Sequence, residues 1–212
     1  GYPVNDDAEG WGRINLLAAA NGYGAFDDDV VVTMDAAEGG FGAADAWKND
    51  IDGDGGLTKA GTGSLTLEGD NAYEGDTKLV EGSLTAASAT AFGSGTVRNV
   101  AGTLAETVAD GPVRVAGDFW QGEDGTLSLT AATDGKGAKG RGGAGKTPAL
   151  EIAGTAVVGG SLDVTTPDLP GAPKRIALIA ADAIHGSFDA VTVNGDEAKT
   201  EIRGGVLYAL TR

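Results

Sequence analysis

Three short stretches carry residue types at spacings that could support chemistry. Asp50-Ile-Asp52-Gly-Asp54-Gly55 sets carboxylates at alternate positions ahead of a glycine. That is the opening of a calcium loop, in which side-chain oxygens converge on a hard cation and the glycine permits the sharp bend. The twelfth position, where such loops carry a bidentate Glu, is Gly61, so Asp50, Asp52 and Asp54 are expected to hold calcium weakly if they hold it at all. Gly140 to Thr147 spells G-x-x-x-x-G-K-T, the pattern of a phosphate-binding loop. Such a loop needs a strand before the glycines and a helix after the Lys-Thr pair, so that backbone N–H groups and the helix dipole meet the phosphate. Here Pro148 follows at once, and Ala149-Leu-Glu-Ile-Ala alternates like a strand. No nucleotide is expected to bind.

The third candidate is His185, in Ala-Ile-His-Gly-Ser-Phe, the single histidine of the chain. One imidazole cannot serve both as nucleophile and as acid/base partner in a phosphohistidine mechanism. Nor does a G-T-S-x-A-like serine context accompany it for a Ser-His-Asp triad. His185 therefore reads as a turn or rung residue, and no catalytic residue is assigned. A carboxylate pair of the glycosidase kind cannot be picked from 31 acids by sequence.

The elements that would position these residues follow from composition and period. In 212 residues there are 37 glycines, no cysteine and only 6% aromatics, which suits many short strands closed by tight turns. With 15 basic against 31 acidic residues the formal charge is −16, which argues against nucleic-acid or anionic-membrane partners. No apolar run is long enough to span a bilayer as a helix. The amino terminus has neither a start Met nor a signal-peptide layout and reads as part of a longer polypeptide. Asp6 to Asn21 has capping-box spacing and Trp11, Ile14, Leu17 and Ala18 on one face, which predicts a helix stopped by Asn21-Gly22. Asp27-Asp28-Asp29 reads as a solvated turn, after which Val30 to Met34 is the first strand candidate.

Beyond it one phrase recurs: Gly63-Ser-Leu-Thr-Leu, Gly82-Ser-Leu-Thr-Ala, Gly102-Thr-Leu-Ala, Gly125-Thr-Leu-Ser-Leu and Gly160-Ser-Leu-Asp-Val. The starts lie 19, 20, 23 and 35 residues apart. If Gly135 to Lys146 is an insertion, the series is a repeat of about 20 residues, in the solenoid range. The expected fold is all-β: a right-handed parallel β-helix with an N-terminal α-helix as cap or junction. Leu65, Leu84, Leu104, Leu127 and Leu162 would stack inside it. An antiparallel sandwich or barrel of short Gly-bounded strands is the rival. The expected division is a helical junction at 1–26, tail of an upstream catalytic domain, and a stem at 27–212 with a Gly/Lys-rich insertion at about 134–147. Lys136, Lys139, Arg141 and Lys146 make that insertion cationic.

Asn49 to Gly95, NDIDGDGGLTKAGTGSLTLEGDNAYEGDTKLVEGSLTAASATAFGSG, resembles the autotransporter-associated β-strand repeat. The resemblance implies rungs of a right-handed β-helix in a secreted or cell-surface bacterial protein, performing no chemistry of their own. Asn71 and Tyr73 would be turn and stacking residues, and Asp50 and Gly53 would belong to the repeat's own turn. Tyr2 to Phe26 is similar to the junction that precedes such repeats in secreted acid phosphatases of the PAP2, vanadium-haloperoxidase-like family. A second reading is the end of a subtilisin-like passenger protease. The phosphatase family's S-G-H and S-R segments are missing here, so any catalysis would lie upstream of Gly1. The segment from Ile184 to Arg212 is similar to the last coil of such a passenger, after which an autotransporter's outer-membrane barrel would begin. The partners implied are the upstream catalytic domain of the same polypeptide and, as a binding alternative, a surface carbohydrate or protein. Trp47, Trp120 and Tyr73 are the aromatics that could stack on sugars, with burial at rung corners as the competing role.

Overall fold

The computed structural model describes residues 19–108, 111–131, 147–166 and 175–211. Val30–Thr33 (β1) is followed by one helical turn, Gly40–Ala43 (α1), then Ala44–Trp47 (β2), Leu57–Ala60 (β3), Ser64–Leu67 (β4), Thr77–Leu79 (β5) and Ser83–Ala86 (β6). Next come Val97–Glu106 (β7), Val113–Val115 (β8), Phe119–Thr130 (β9), Leu150–Ile152 (β10), Thr155–Val158 (β11) and Ser161–Thr165 (β12). The last are Arg175–Ala180 (β13), Ala183–Gly186 (β14), Ala190–Val193 (β15), Asp196–Glu197 (β16), Lys199–Arg203 (β17) and Val206–Leu210 (β18). Except for α1 and the helical Ala19 and Ala20, the described chain is strand and turn, as the sequence predicts. The greater part of the expected N-terminal helix, and the cationic insertion from Lys136 to Lys146, lie outside the described residues.

The strands form parallel ladders. Along the first, Val30, Leu57, Thr77, Val97, Phe119, Ala156 and Ile184 are successive register partners. Along the second, Leu65, Leu84, Leu104, Leu127, Leu162 and Val191 follow one another. Leu127 and Leu162 are direct neighbours although 35 residues separate them. A third side carries β8, β10 and β13 in parallel. In the earlier repeats that side is turns that bond to the preceding repeat, such as Ala72 N–H to Ile51 O and Glu74 N–H to Gly53 O.

Alternation along each strand sends one set of side chains inward. The five phrase leucines are each no more than 2% exposed, and the apolar inward residues of the ladders belong to one continuous cluster. Burying a leucine contributes about 1.5–3 kcal/mol, so this column is a principal source of cohesion. The phrase glycines serve it in two ways. Gly82, Gly102 and Gly160 adopt positive φ. At Gly63 and Gly125 a Cβ would come within 2.7 and 2.8 Å of neighbouring atoms.

The end of the chain departs from a simple last coil. β15 and β16 pair antiparallel, as do β17 and β18, and β18 lies antiparallel on β13. The two hairpins turn at Asn194-Gly195 and Gly204-Gly205, where all four φ angles are positive. Two-residue loops of this kind match the twist of the strands they join.

Candidate functional site

The residues with chemical potential are mostly spent on holding rungs together. Asp50 Oδ1 accepts the backbone N–H of Asp70, its counterpart one repeat later, at 2.8 Å. Asp29, Asp76 and Asp118 do the same for the amides of Gly56, Thr96 and Thr155, at 2.9, 3.0 and 2.7 Å. A short acceptor at a corner thus satisfies an amide that the ladder leaves free. Gly53 turns with φ 107° and Asp52 pairs through its backbone with Ala25. Asp52 and Asp54 are exposed. Among the described residues no group of three or more His, Asp or Glu is gathered so as to hold a metal ion.

Where the nucleotide motif would need a helix, Thr147 and Pro148 lead into β10. The strand expected from Ala149 onward is the one present, and the N–H groups of a helix N-terminus are not available to a phosphate at Thr147. His185 is exposed on β14, opposite Val157.

The buried polar side chains form a feature that period analysis alone did not reveal. Lys59, Leu79, Asn99 and Gln121 are successive partners on the inward face of the first ladder. The Lys59 ammonium is wholly buried and donates to the carbonyls of Ala60, Gly61 and Glu81 at 3.0, 2.8 and 3.2 Å. Burial lowers its pKa, opposed by the nearby Glu81 carboxylate. Asn99 Nδ2 donates to Gln121 Oε1 and to the Thr126 carbonyl, both at 3.1 Å. Gln121 Nε2 in turn donates to the carbonyls of Gly125, Gly159 and Ser161. These long side chains reach into the corner between the two ladders and satisfy carbonyls there. Inward-facing Lys, Asn and Gln in one column were the available signal. Because each donor is committed and enclosed, none of them is a free nucleophile or base.

On the third side, Asn71 accepts the Ile51 N–H at 3.0 Å and donates to the Ala91 carbonyl at 2.7 Å, tying three repeats together. Tyr73 is fully buried, its hydroxyl bonded to Thr77 Oγ1 at 2.5 Å, and burial pushes its pKa up. Its ring packs on Phe26, which also meets Trp47 and Tyr23. The turn and stacking roles expected of Asn71 and Tyr73 are therefore present. Trp47 and Tyr73 belong to the core, and neither can stack on a sugar; Trp120 is half-buried on an outer face. Glu106 is a buried carboxylate that accepts the N–H groups of Val108 and Thr130. Burial raises its pKa, opposed by those hydrogen bonds.

Among the described residues no helix is long and apolar enough to cross a membrane. Residues 57–86 match a repeat family described as the passenger-associated-transport-repeat. The chain is also similar to an extracellular serine protease of Serratia marcescens, 34% identical over 113 positions, covering 37% of this chain and 10% of that protein. An autotransporter lipoprotein, NalP, of Neisseria meningitidis serogroup B is 38% identical over 84 positions, covering 37% of this chain and 7% of its own length. The adhesin BmaC autotransporter of Brucella suis is 34% identical over 161 positions, covering 73% of this chain but 4% of its own length. The chain spans about a tenth or less of these curated relatives. The match and the relatives place the segment with the repeat regions of autotransporter passengers, secreted or exposed at the bacterial surface.

Proposed function

We propose that this chain is a non-catalytic stem within the passenger of a secreted bacterial protein, folded as a right-handed parallel β-helix and carrying any catalytic domain upstream. The observation that carries this reading is the in-register column of Leu65, Leu84, Leu104, Leu127 and Leu162. A stack filled by its own side chains gains length by adding rungs. A helix at Asp6 to Asn21, as the sequence predicts, would cap its open edge or join the upstream domain.

The extracellular serine protease relative supports a protease as the domain carried, and the autotransporter relatives support a translocator domain in the same polypeptide. A PAP2-type phosphatase parent rests on the junction motif alone. The adhesin relative, which covers 73% of this chain, favours a second reading as a surface-binding module. A calcium ion on Asp50, Asp52 and Asp54 would be an addition to the stem, since Asp50 already holds an amide of the next rung.

The purified chain, assayed with casein and with p-nitrophenyl phosphate, is expected to match a heat-denatured control on both. Turnover above that control, lost on dilution into denaturant, would overturn the stem assignment.

A further inference from the structure

The outer face of the first ladder carries one side chain that the stem does not need. Outward positions run Val31, Thr58, Lys78, Arg98, Trp120, Val157 and His185 from rung to rung. Most are small or charged, as a solvated surface should be, and the Trp120 position is filled by an indole. Its ring lies back along its own strand over Gly122: a Cβ at that glycine would stand 2.9 Å from Trp120 Cη2 and 3.4 Å from Cζ3. The glycine thus leaves room for the edge of the ring beside the strand. Trp120 is only half-buried there, and its indole N–H makes no hydrogen bond to a described residue.

The strand is irregular at this place. Register slips between Asn99 and Ala101 of β7, so that β9 carries an additional residue around Gly122 and Glu123. Bulges re-aim side chains and are common beside binding sites. This one is followed by two exposed carboxylates, Glu123 and Asp124. On the preceding rung Arg98 is drawn to Asp76 at 3.4 Å.

We propose that Trp120 is a stacking platform for a neutral saccharide, with Glu123 and Asp124 accepting hydrogen bonds from its hydroxyl groups. A pyranose ring has an apolar face edged by hydroxyls, which matches a half-exposed aromatic followed on its own strand by two exposed carboxylates. A protein partner would ask for a contiguous apolar centre, and among the described outward residues of this ladder the apolar register partner of Trp120 is the single Val157. The net charge of −16 disfavours sulfated or uronic glycans, which this body repels. The site is separate from the stem reading, since the stacked core is complete without it.

The test is titration of the full chain with maltotetraose, cellotetraose and chitotetraose, followed by tryptophan fluorescence, with a heparin tetrasaccharide as anionic control. At least one neutral sugar should give a saturable change, and heparin none. Trp120→Ala should weaken that binding about fivefold to tenfold and Trp120→Phe less, each with an unchanged β-sheet circular dichroism spectrum. Failure of all three neutral sugars to bind would overturn the proposal. So would a Trp120→Ala chain that is folded and binds, by calorimetry, as tightly as the parent.

Discussion

Asn71 shows how a single residue can hold three repeats. Its amide meets one buried N–H below and one buried carbonyl above. Replacing it by Leu leaves both unpaired, and each orphaned group costs about 1–3 kcal/mol. Asn71→Leu should therefore lower stability by about 2–4 kcal/mol, read as a shift of the urea midpoint with the slope unchanged. Glu106 makes a different prediction, about pH. Its folded pKa is raised by burial, so between the raised value and the ordinary one the folded chain holds more protons than the unfolded chain. The group's contribution is then complete below the ordinary carboxylate pKa and is lost as pH rises through the raised one. Thermal melts of the parent and of Glu106→Gln should diverge in the parent's favour as pH is lowered from 7 to 4. A difference that stays constant across that range would contradict the assignment.

At the scale of elements, the two terminal hairpins end the parallel ladders by turning strands back on them. Asn194 is the one non-glycine residue with positive φ among the described residues, and its side chain accepts from Thr166 N and donates to Thr166 Oγ1. Asn194→Ala should cost about 1–2 kcal/mol, from an αL conformation that alanine resists and two exposed hydrogen bonds. Asn194→Gly should recover the conformational part, and comparative urea melts of the two separate the contributions. These hairpins were legible in the sequence, since Asn-Gly and Gly-Gly between alternating segments are strong hairpin signals. The resemblance of Ile184 to Arg212 to a last passenger coil points instead to one more parallel rung, which the antiparallel pairing of β15 with β16 and β17 with β18 replaces. The phrase itself was a sound guide: a leucine two residues after each glycine recurs at the rung period, and burial follows from that period alone. The corner chemistry was less legible. Asp29, Asp50, Asp76 and Asp118 look like solvated acids or calcium ligands in a linear reading, because their acceptor role depends on which amide lies one rung away. Lys59, Asn99 and Gln121 were hidden for the same reason, as their partners are corner carbonyls up to 40 residues distant.

The whole molecule joins an apolar interior column of leucines to a strongly acidic exterior. On the proposed β-helix reading, cohesion is largely between adjacent rungs and stability is expected to build from neighbour to neighbour. That arrangement suits a spacer, which must keep its length and present or carry something else, more than it suits a reaction centre, which needs groups converging on a cleft. Without native cysteines, paired nitroxide labels can be placed at will. Thr66, Thr85, Ala105, Ser128, Asp163 and Thr192 are successive outward partners on the second ladder. Stacked rungs separated by about 4.8 Å place Thr66 about 19 Å from Asp163 and about 24 Å from Thr192. Dipolar distance measurement on labels at Thr66/Asp163 and Thr66/Thr192 tests the stacking most directly. Distances that lengthen by one rung spacing between the two pairs are the predicted result, and a second distance equal to or shorter than the first would contradict it.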